Sequence, residues 1–449
     1  MVAYYFPPDS SSGSMRPFYW ANYLSRSGWD VSVLTVKKKK FLPEQPVDIE
    51  LAKGIQPGVH VVRTNILRPR NNLLSLKDLL FNLKINPFSD SIKPQDRTPS
   101  INSQDHSLFR EIKDILTEIL ASPDQHIGWL PFAVVRGLRI IKKNRIDLVY
   151  ATGSPWTCLL IGTILKWLTG CPLILDFRDP WVSNPVFLVR PVLLRKLETF
   201  MEQHVVHIAD GIIANTEELK TNFLHRYKFL SSDLATCITN GFDAYQDSKR
   251  VSKNWPKKLI FTHAGSLYFS RNPKNILLAL KKLLDSGKIL EREIQFIFLG
   301  GIEVNDPDIS DLLAAPELKT CVEILPRVPH TKVSTYLRES DILFLIQLDF
   351  PLQVPRKLFD YIAARKPILA ITDIEGASAH LMQKYNLGVV VNNQVDDIAS
   401  AIYSFYQKWK DASLPRLARE DCDHFLNRNL AGKLKTFLQK VVFANEFVQ

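Results

Sequence analysis

Short apolar runs, each closed by turn-forming residues and followed by apolar positions at helical spacing, recur along this chain. Residues 2–6 form the first run, and Pro7-Pro8-Asp9-Ser10-Ser11-Ser12-Gly13-Ser14 closes it. From Arg16 onward Phe18, Trp20, Ala21 and Leu24 return at helix spacing up to Gly28, a natural C-terminal stop. Residues 29–36 then read as a second strand. Strand, polar loop, helix, strand is the opening of a doubly wound α/β unit on a parallel sheet.

The pattern continues. Residues 147–151 and 172–176 read as buried strands around a helix at 156–168, and 211–215 and 237–240 as two more strands. Residues 244–258 are polar and charged and carry Pro256, which marks a linker. A second strand-and-helix series follows, with strands expected at 259–263, 295–299, 322–325, 342–346, 367–371 and 388–391. The expectation is an α/β protein of two Rossmann-like, doubly wound domains facing across a cleft. The first covers 1–243, the second 259–426, and a C-terminal helix at 427–449 returns to the first.

Residues 37–125 fit neither series and read as a basic insertion. Between Lys37 and Arg97 there are twelve Lys or Arg against six Asp or Glu. Leu73, Leu74, Leu76, Leu79, Leu80, Phe81 and Leu83 sit in the same stretch. Two readings are open: leucines packed on the first domain beneath solvated lysines, which is the simpler, or a peripheral contact with an anionic membrane.

Composition narrows the class. With 46% hydrophobic and 23% charged residues, the 449-residue chain can bury two sizeable cores, which argues against disorder or a disulfide scaffold. The surplus of 57 Lys and Arg over 46 Asp and Glu, a formal +11, suits anionic partners such as nucleotides. Nucleic acid is not expected, because the basic residues are dispersed and form no recognised module. Five cysteines without a CxxC pair read as reduced thiols of a cytoplasmic protein, and zinc is not expected. No secretory leader is expected, since no basic region precedes an apolar run and a small-residue cleavage site.

In paired α/β domains, ligands lie beyond the carboxyl ends of the strands. There the loop around Gly13 and Ser14 opens a helix N-terminus that can receive a phosphate, or serves as a structural turn. It is neither GxGxxG nor a P-loop. Arg178-Asp179-Pro180-Trp181 follows a buried strand and suits either ligand contact or a local ion pair. In the second series His263-Ala264-Gly265-Ser266-Leu267-Tyr268 leads to Arg271, a candidate to neutralise a diphosphate. Pro355 suits the first turn of a helix in which the amides of Arg356 and Lys357 are free donors. One turn on, Asp360 can accept from a vicinal diol such as ribose. Phosphate donors and a diol acceptor one turn apart match a nucleoside diphosphate.

Taken in order, these segments resemble the family 4 retaining glycosyltransferases of the GT-B fold, nearest to the bacterial branch that builds exopolysaccharide, O-antigen or capsule. The likeness rests on Tyr5-Phe6-Pro7-Pro8 with Gly13-Ser14 and Arg16-Pro17, on Arg178-Asp179-Pro180-Trp181, and on residues 209–217. It continues through Asn240-Gly241-Phe242-Asp243, residues 263–268 and Pro355-Arg356-Lys357-Leu358-Phe359-Asp360-Tyr361.

The resemblance implies transfer of a sugar from a UDP- or GDP-linked donor to a saccharide or lipid-linked acceptor, with retention and without metal or cofactor. A cytoplasmic protein is expected, with a peripheral place at the inner face of the cell membrane left open. Asp179, Arg271 and Lys357 would then act on the reacting groups. Gly13, Ser14, Arg178, Gly265, Ser266, Arg327, Pro355, Arg356 and Asp360 would bind the donor. Asp360 stands where the family usually has Glu, and Arg271 where it often has Lys. Leu352 replaces a glutamate eight residues before Asp360, and Ser266 replaces an arginine. The family usually carries several more residues ahead of residues 2–6. Two further readings remain: a non-catalytic GT-B protein that binds a nucleotide-sugar or a partner transferase, and a nucleotide-sugar 2-epimerase, whose carboxylate-and-histidine set finds no match.

Overall fold

The computed structural model describes residues 1–43, 45–67, 118–119, 121–246, 258–268, 270–304 and 306–446. They divide into two compact units, Met1–Ile212 with Leu438–Gln449, and Ile213–Phe437. Among them no helix is long and apolar enough to cross a membrane.

Strands β1 (Val31–Val36) and β2 (Val59–Thr64) pair in parallel, and β3 (Val149–Gly153), β4 (Leu173–Phe177), β5 (Gly211–Ala214) and β6 (Ala235–Cys237) form a four-stranded sheet in that order. Val2 joins the two sheets. Its amide donates to the Tyr150 carbonyl (2.7 Å), its carbonyl accepts from the Thr152 amide (3.1 Å), and the Ala3 amide donates to Leu34 (3.1 Å). The spatial order is therefore β2, β1, Val2, β3, β4, β5, β6, with the switch in direction at Val2 and β3. Residues 2–6 supply only this short bridge rather than a full strand, because pairing ends at Ala3 before the Pro7-Pro8 turn.

The sequence reading placed residues 59–64 inside the basic insertion. They form β2, in register with β1 from Val31↔Val59 to Val36↔Thr64. As an edge strand it carries the exposed His60, and this breaks the apolar run that marks a buried strand. Leu73 to Leu83 lie outside the described residues.

The second sheet has the order β12 (Gly388–Val391), β11 (Ile368–Thr372), β10 (Ile342–Gln347), β7 (Leu259–Ala264), β8 (Ile294–Leu299), β9 (Val322–Leu325), all parallel. Every residue of β10 and β11 is buried, as expected of strands covered on both faces. One face packs on the helices Lys274–Asp285 and Val395–Lys410, with Phe261 and Phe296 stacked at 4.6 Å. The other packs on Arg356–Ala364 through Leu358, Phe359, Tyr361 and Ile362. The order reverses between β7 and β10, and parallel sheets of this kind bind ligands at such a reversal. Pro355 caps the helix Arg356–Ala364 from outside rather than occupying its first turn.

One buried ion pair fixes the N-terminal sheet to its first helix, Ser12–Arg26. Asp176 on β4 receives Arg16 Nε (2.9 Å), Arg16 Nη2 (2.8 Å), the Tyr150 hydroxyl (2.5 Å) and the Thr152 hydroxyl (2.8 Å). The Arg16 guanidinium also lies 5.0 Å from the Trp20 ring centroid. Removing one charge from such a pair strands the other away from water. Asp176→Asn is expected to cost roughly 3–5 kcal/mol of stability, read as a lower urea midpoint. An unchanged midpoint would show that the pair holds nothing together.

Candidate functional site

The sequence-designated residues gather in two groups, one in each unit. In Met1–Ile212, Arg178 Nη1 donates to the Gly13 carbonyl and Arg178 Nε to the Gly153 carbonyl (3.3 Å). A Cβ on Gly13 would stand 2.8 Å from the Tyr5 ring and 3.0 Å from Arg178 Nη1, so only glycine fits that approach. The serine loop is committed internally. Asp9 accepts from the Ser11 amide (2.8 Å) and hydroxyl (2.5 Å), and the Ser14 hydroxyl donates to the Ser11 carbonyl (2.9 Å). Asp179 is half-buried and meets the Ser154 hydroxyl at 3.4 Å. Burial pushes its carboxyl pKa up, and Arg178 nearby works against that rise.

The second group lies at the carboxyl ends of β7 and β8 and at the start of the helix Arg356–Ala364. A pocket of about 360 Å³ is lined there by Gly265, Ser266, Arg271, Gly300, Arg327 and Lys357, among others. Gly265 follows β7 with φ +107°, a backbone that glycine tolerates and other residues resist. A Cβ at that position would stand 2.7 Å from Lys357 Nζ. The missing side chain is what lets the ammonium lie against the backbone.

Lys357 Nζ is 3.0 Å from His263 Nε2, and His263 Nδ1 is 3.0 Å from the Phe344 carbonyl. A carbonyl only accepts, so Nδ1 carries the proton and Nε2 offers its lone pair to Lys357. The imidazole is neutral. Burial, then Lys357, hold its pKa well below the ordinary histidine value. Burial likewise lowers Lys357 to about 7, with Arg271 pushing the same way and Asp360 opposing. Arg271 lies over the Tyr268 ring at 4.7 Å. Arg327 Nε donates to the Ser266 hydroxyl (2.8 Å), which donates to the Gly300 carbonyl (2.8 Å), while Arg327 Nη2 reaches Glu303 (2.7 Å).

As the first residues of their helix, Arg356 and Lys357 have amides without intrahelical acceptors. Arg356 Nη2 is 3.9 Å from Asp360 Oδ1, a loose pair at one turn's spacing. Leu352 offers only its carbonyl, which accepts from the Thr216 hydroxyl at 2.8 Å. His263 as the partner of Lys357 escaped the sequence reading, which named it only as the start of the loop that leads to Arg271. The two are 94 residues apart, and only strand order brings them together. Among the described residues no group of three or more His, Cys, Asp or Glu is placed to hold a metal ion.

Two family models match the chain end to end across most of its length. "Glycosyltransferase Family 4" covers residues 102–246, and "Glycosyl transferases group 1" covers residues 245–418. The chain is a family 4 glycosyltransferase. Its fold is GT-B, and it is a retaining transferase (EC 2.4) that draws on a nucleotide-sugar donor. No curated protein matches its sequence at a significant level. Among solved structures, sucrose-phosphate synthase from Thermosynechococcus elongatus is similar at 15% identity, with a TM-score of 0.62, 99% of this chain and 98% of that one covered. A glycosyltransferase from Rickettsia africae is similar at 14% identity and TM-score 0.60, with 98% of each chain covered. HepE from Anabaena, solved in complex with UDP, is similar at 15% identity and TM-score 0.53, over 70% of this chain and 84% of that one. At such identities these likenesses speak for the fold alone.

In this glycosyltransferase the pKa of Lys357 lies below that of a free lysine. Between pH 7 and 10.5 the unfolded chain therefore binds the extra proton, and the folded state gains stability as pH rises through that window. An anion beside Nζ reverses the preference and favours the ammonium. Binding of a nucleoside diphosphate at pH 8.5 is therefore expected to take up close to one proton, and affinity to rise as pH falls towards 7. Calorimetry in two buffers of different ionisation enthalpy measures this, with Lys357→Met losing the uptake. Equal heats in both buffers for the unmodified protein would refute it.

Proposed function

We propose that this transferase moves a hexosyl group from a UDP-sugar to a hydroxyl of a saccharide acceptor, free or lipid-linked, in cell-surface polysaccharide or glycolipid synthesis at the cytoplasmic face of a membrane. The observation that carries the donor half is the pocket at the β7 and β8 ends, which Arg271, Arg327 and the desolvated Lys357 line together with Gly265. The amides of Ser266, Arg356 and Lys357 receive the diphosphate, while the Gly265 amide is committed to the Leu299 carbonyl (2.6 Å). Asp360, one turn along, accepts from the ribose hydroxyls.

Charge accumulates on the leaving diphosphate as the glycosidic bond breaks, so preformed cations and amides there lower the barrier more than they strengthen donor binding. UDP is favoured over GDP because HepE was solved with UDP and the trehalose-6-phosphate protein from E. coli with UDP-2-fluoro glucose. The polysaccharide reading rests on the motif order, and the five free cysteines suit a reducing compartment. On the acceptor side Asp179, raised by burial, and Arg178 with Gly13 are assigned to the reacting face, with Ser14 bracing the loop.

Thermal unfolding with UDP, GDP, ADP and CMP tests the donor assignment. UDP at a hundred times its dissociation constant is expected to add about 2.7 kcal/mol. Asp360→Ala should abolish that gain, and Arg271→Ala should lower transfer roughly a hundredfold. Selective stabilisation by GDP would move the donor class. Stabilisation by no nucleotide, with no turnover, would favour the non-catalytic reading that Leu352 and Ser266 invite.

A further inference from the structure

The helix Val192–Ile208 divides its residues by charge in an unusual way. Both of its acids point inward. Glu198 accepts from Trp181 Nε1 (2.9 Å), Glu202 accepts from the Val182 amide (3.0 Å), and both side chains are buried. The outward positions 192, 193, 196, 200, 203, 204 and 207 follow helical spacing and carry no acid. The preceding turn behaves alike: Phe187 is buried while its neighbours face out. Val186, Leu188, Val189, Val192, Leu193 and Phe200 are between 55% and 85% exposed. Lys196 is exposed and Arg195 half-buried beside them, while the half-buried Arg190 is ion-paired with Glu198.

Single exposed leucines are ordinary, but six large apolar side chains within fifteen residues make a patch that marks an interaction surface. The charge around the patch selects the partner. A second copy of the chain seated on it would bring Arg195 and Lys196 against their own copies, with Glu202 buried and Glu198 already paired with Arg190. An anionic lipid surface accepts the apolar side chains at the level of its headgroups and the cations at its phosphates. We propose that residues 186–204 seat the protein on an anionic bilayer, with Val189, Leu193 and Phe200 entering the interface. This deepens the acceptor half of the proposed function, since a lipid-linked acceptor presents its hydroxyls at such a surface. It gives the membrane contact, the second of the two readings of the basic insertion, to a helix whose outward face is described.

Sedimentation with vesicles tests the surface. The full chain is expected to partition onto phosphatidylglycerol-containing vesicles at low salt, to partition weakly onto phosphatidylcholine alone, and to be released as salt rises. Val189→Asp with Leu193→Asp, both at exposed positions, should lower the partition about tenfold or more. UDP-dependent thermal stabilisation in the same variant should stay unchanged, which separates failure here from failure of the donor assignment. Equal partition by variant and unmodified protein would overturn the proposal. So would absence of binding to anionic vesicles, or a dimer that the double substitution dissociates. A maleimide on Val189→Cys that is blocked before any vesicle is added would also overturn it, because another part of the chain would then cover the face.

Discussion

An ammonium group taken out of water and set beside a guanidinium must lose its proton or acquire an anion, and Lys357 is held in that position. Its immediate hydrogen-bond partner is a neutral imidazole, which lends a lone pair but no charge. Arg271 adds to the tension. The arrangement is possible only because Gly265 has no side chain and because β7 and β10 are neighbours, which carries His263 under the helix that starts at Arg356. In the donor site proposed above, the diphosphate supplies the missing charge. The glycine, the strand order, the tautomer of His263 and the N-terminus of the helix serve one electrostatic end.

Much of the fold was legible because a strand buried on both faces writes itself as an unbroken apolar run. β7, β8, β10 and β11, the largely buried strands, match to within a residue or so at their ends, and the half-buried edge strands β9 and β12 also fall on the residues expected of them. β2 was not legible, since an edge strand can hold His60 and Arg63 and loses the run that identifies it. Residues 2–6 misled in the other direction. They are apolar because Tyr4 and Phe6 pack inward, yet only Val2 completes a ladder.

The site was legible as a list of loops and not as a geometry. Motif order named Gly265, Arg271, Lys357 and Asp360, and they do sit at or beside one reversal of strand order. What a linear reading lacks is the partner of each group. The serine loop was open to two readings, a phosphate cradle or a structural turn, and within it Asp9 accepts from the Ser11 amide. Arg178 suited ligand contact or a local ion pair, and its guanidinium donates to the carbonyls of Gly13 and Gly153. Which hydrogen bonds a loop makes with itself depends on its closure, and closure leaves no mark on residue type.

The depressed basicity of Lys357 has a chemical consequence beyond ligand binding. The 57 Lys and Arg are, for the most part, cations at neutral pH and poor nucleophiles. A lysine poised near 7 keeps a substantial share of its lone pair available in the empty pocket. Acylating and carbamylating reagents should therefore find this amine ahead of its more abundant, fully charged neighbours, and a seated nucleotide would shield it. The same physics that prepares the pocket for a diphosphate makes its unoccupied state the most chemically vulnerable form of the protein.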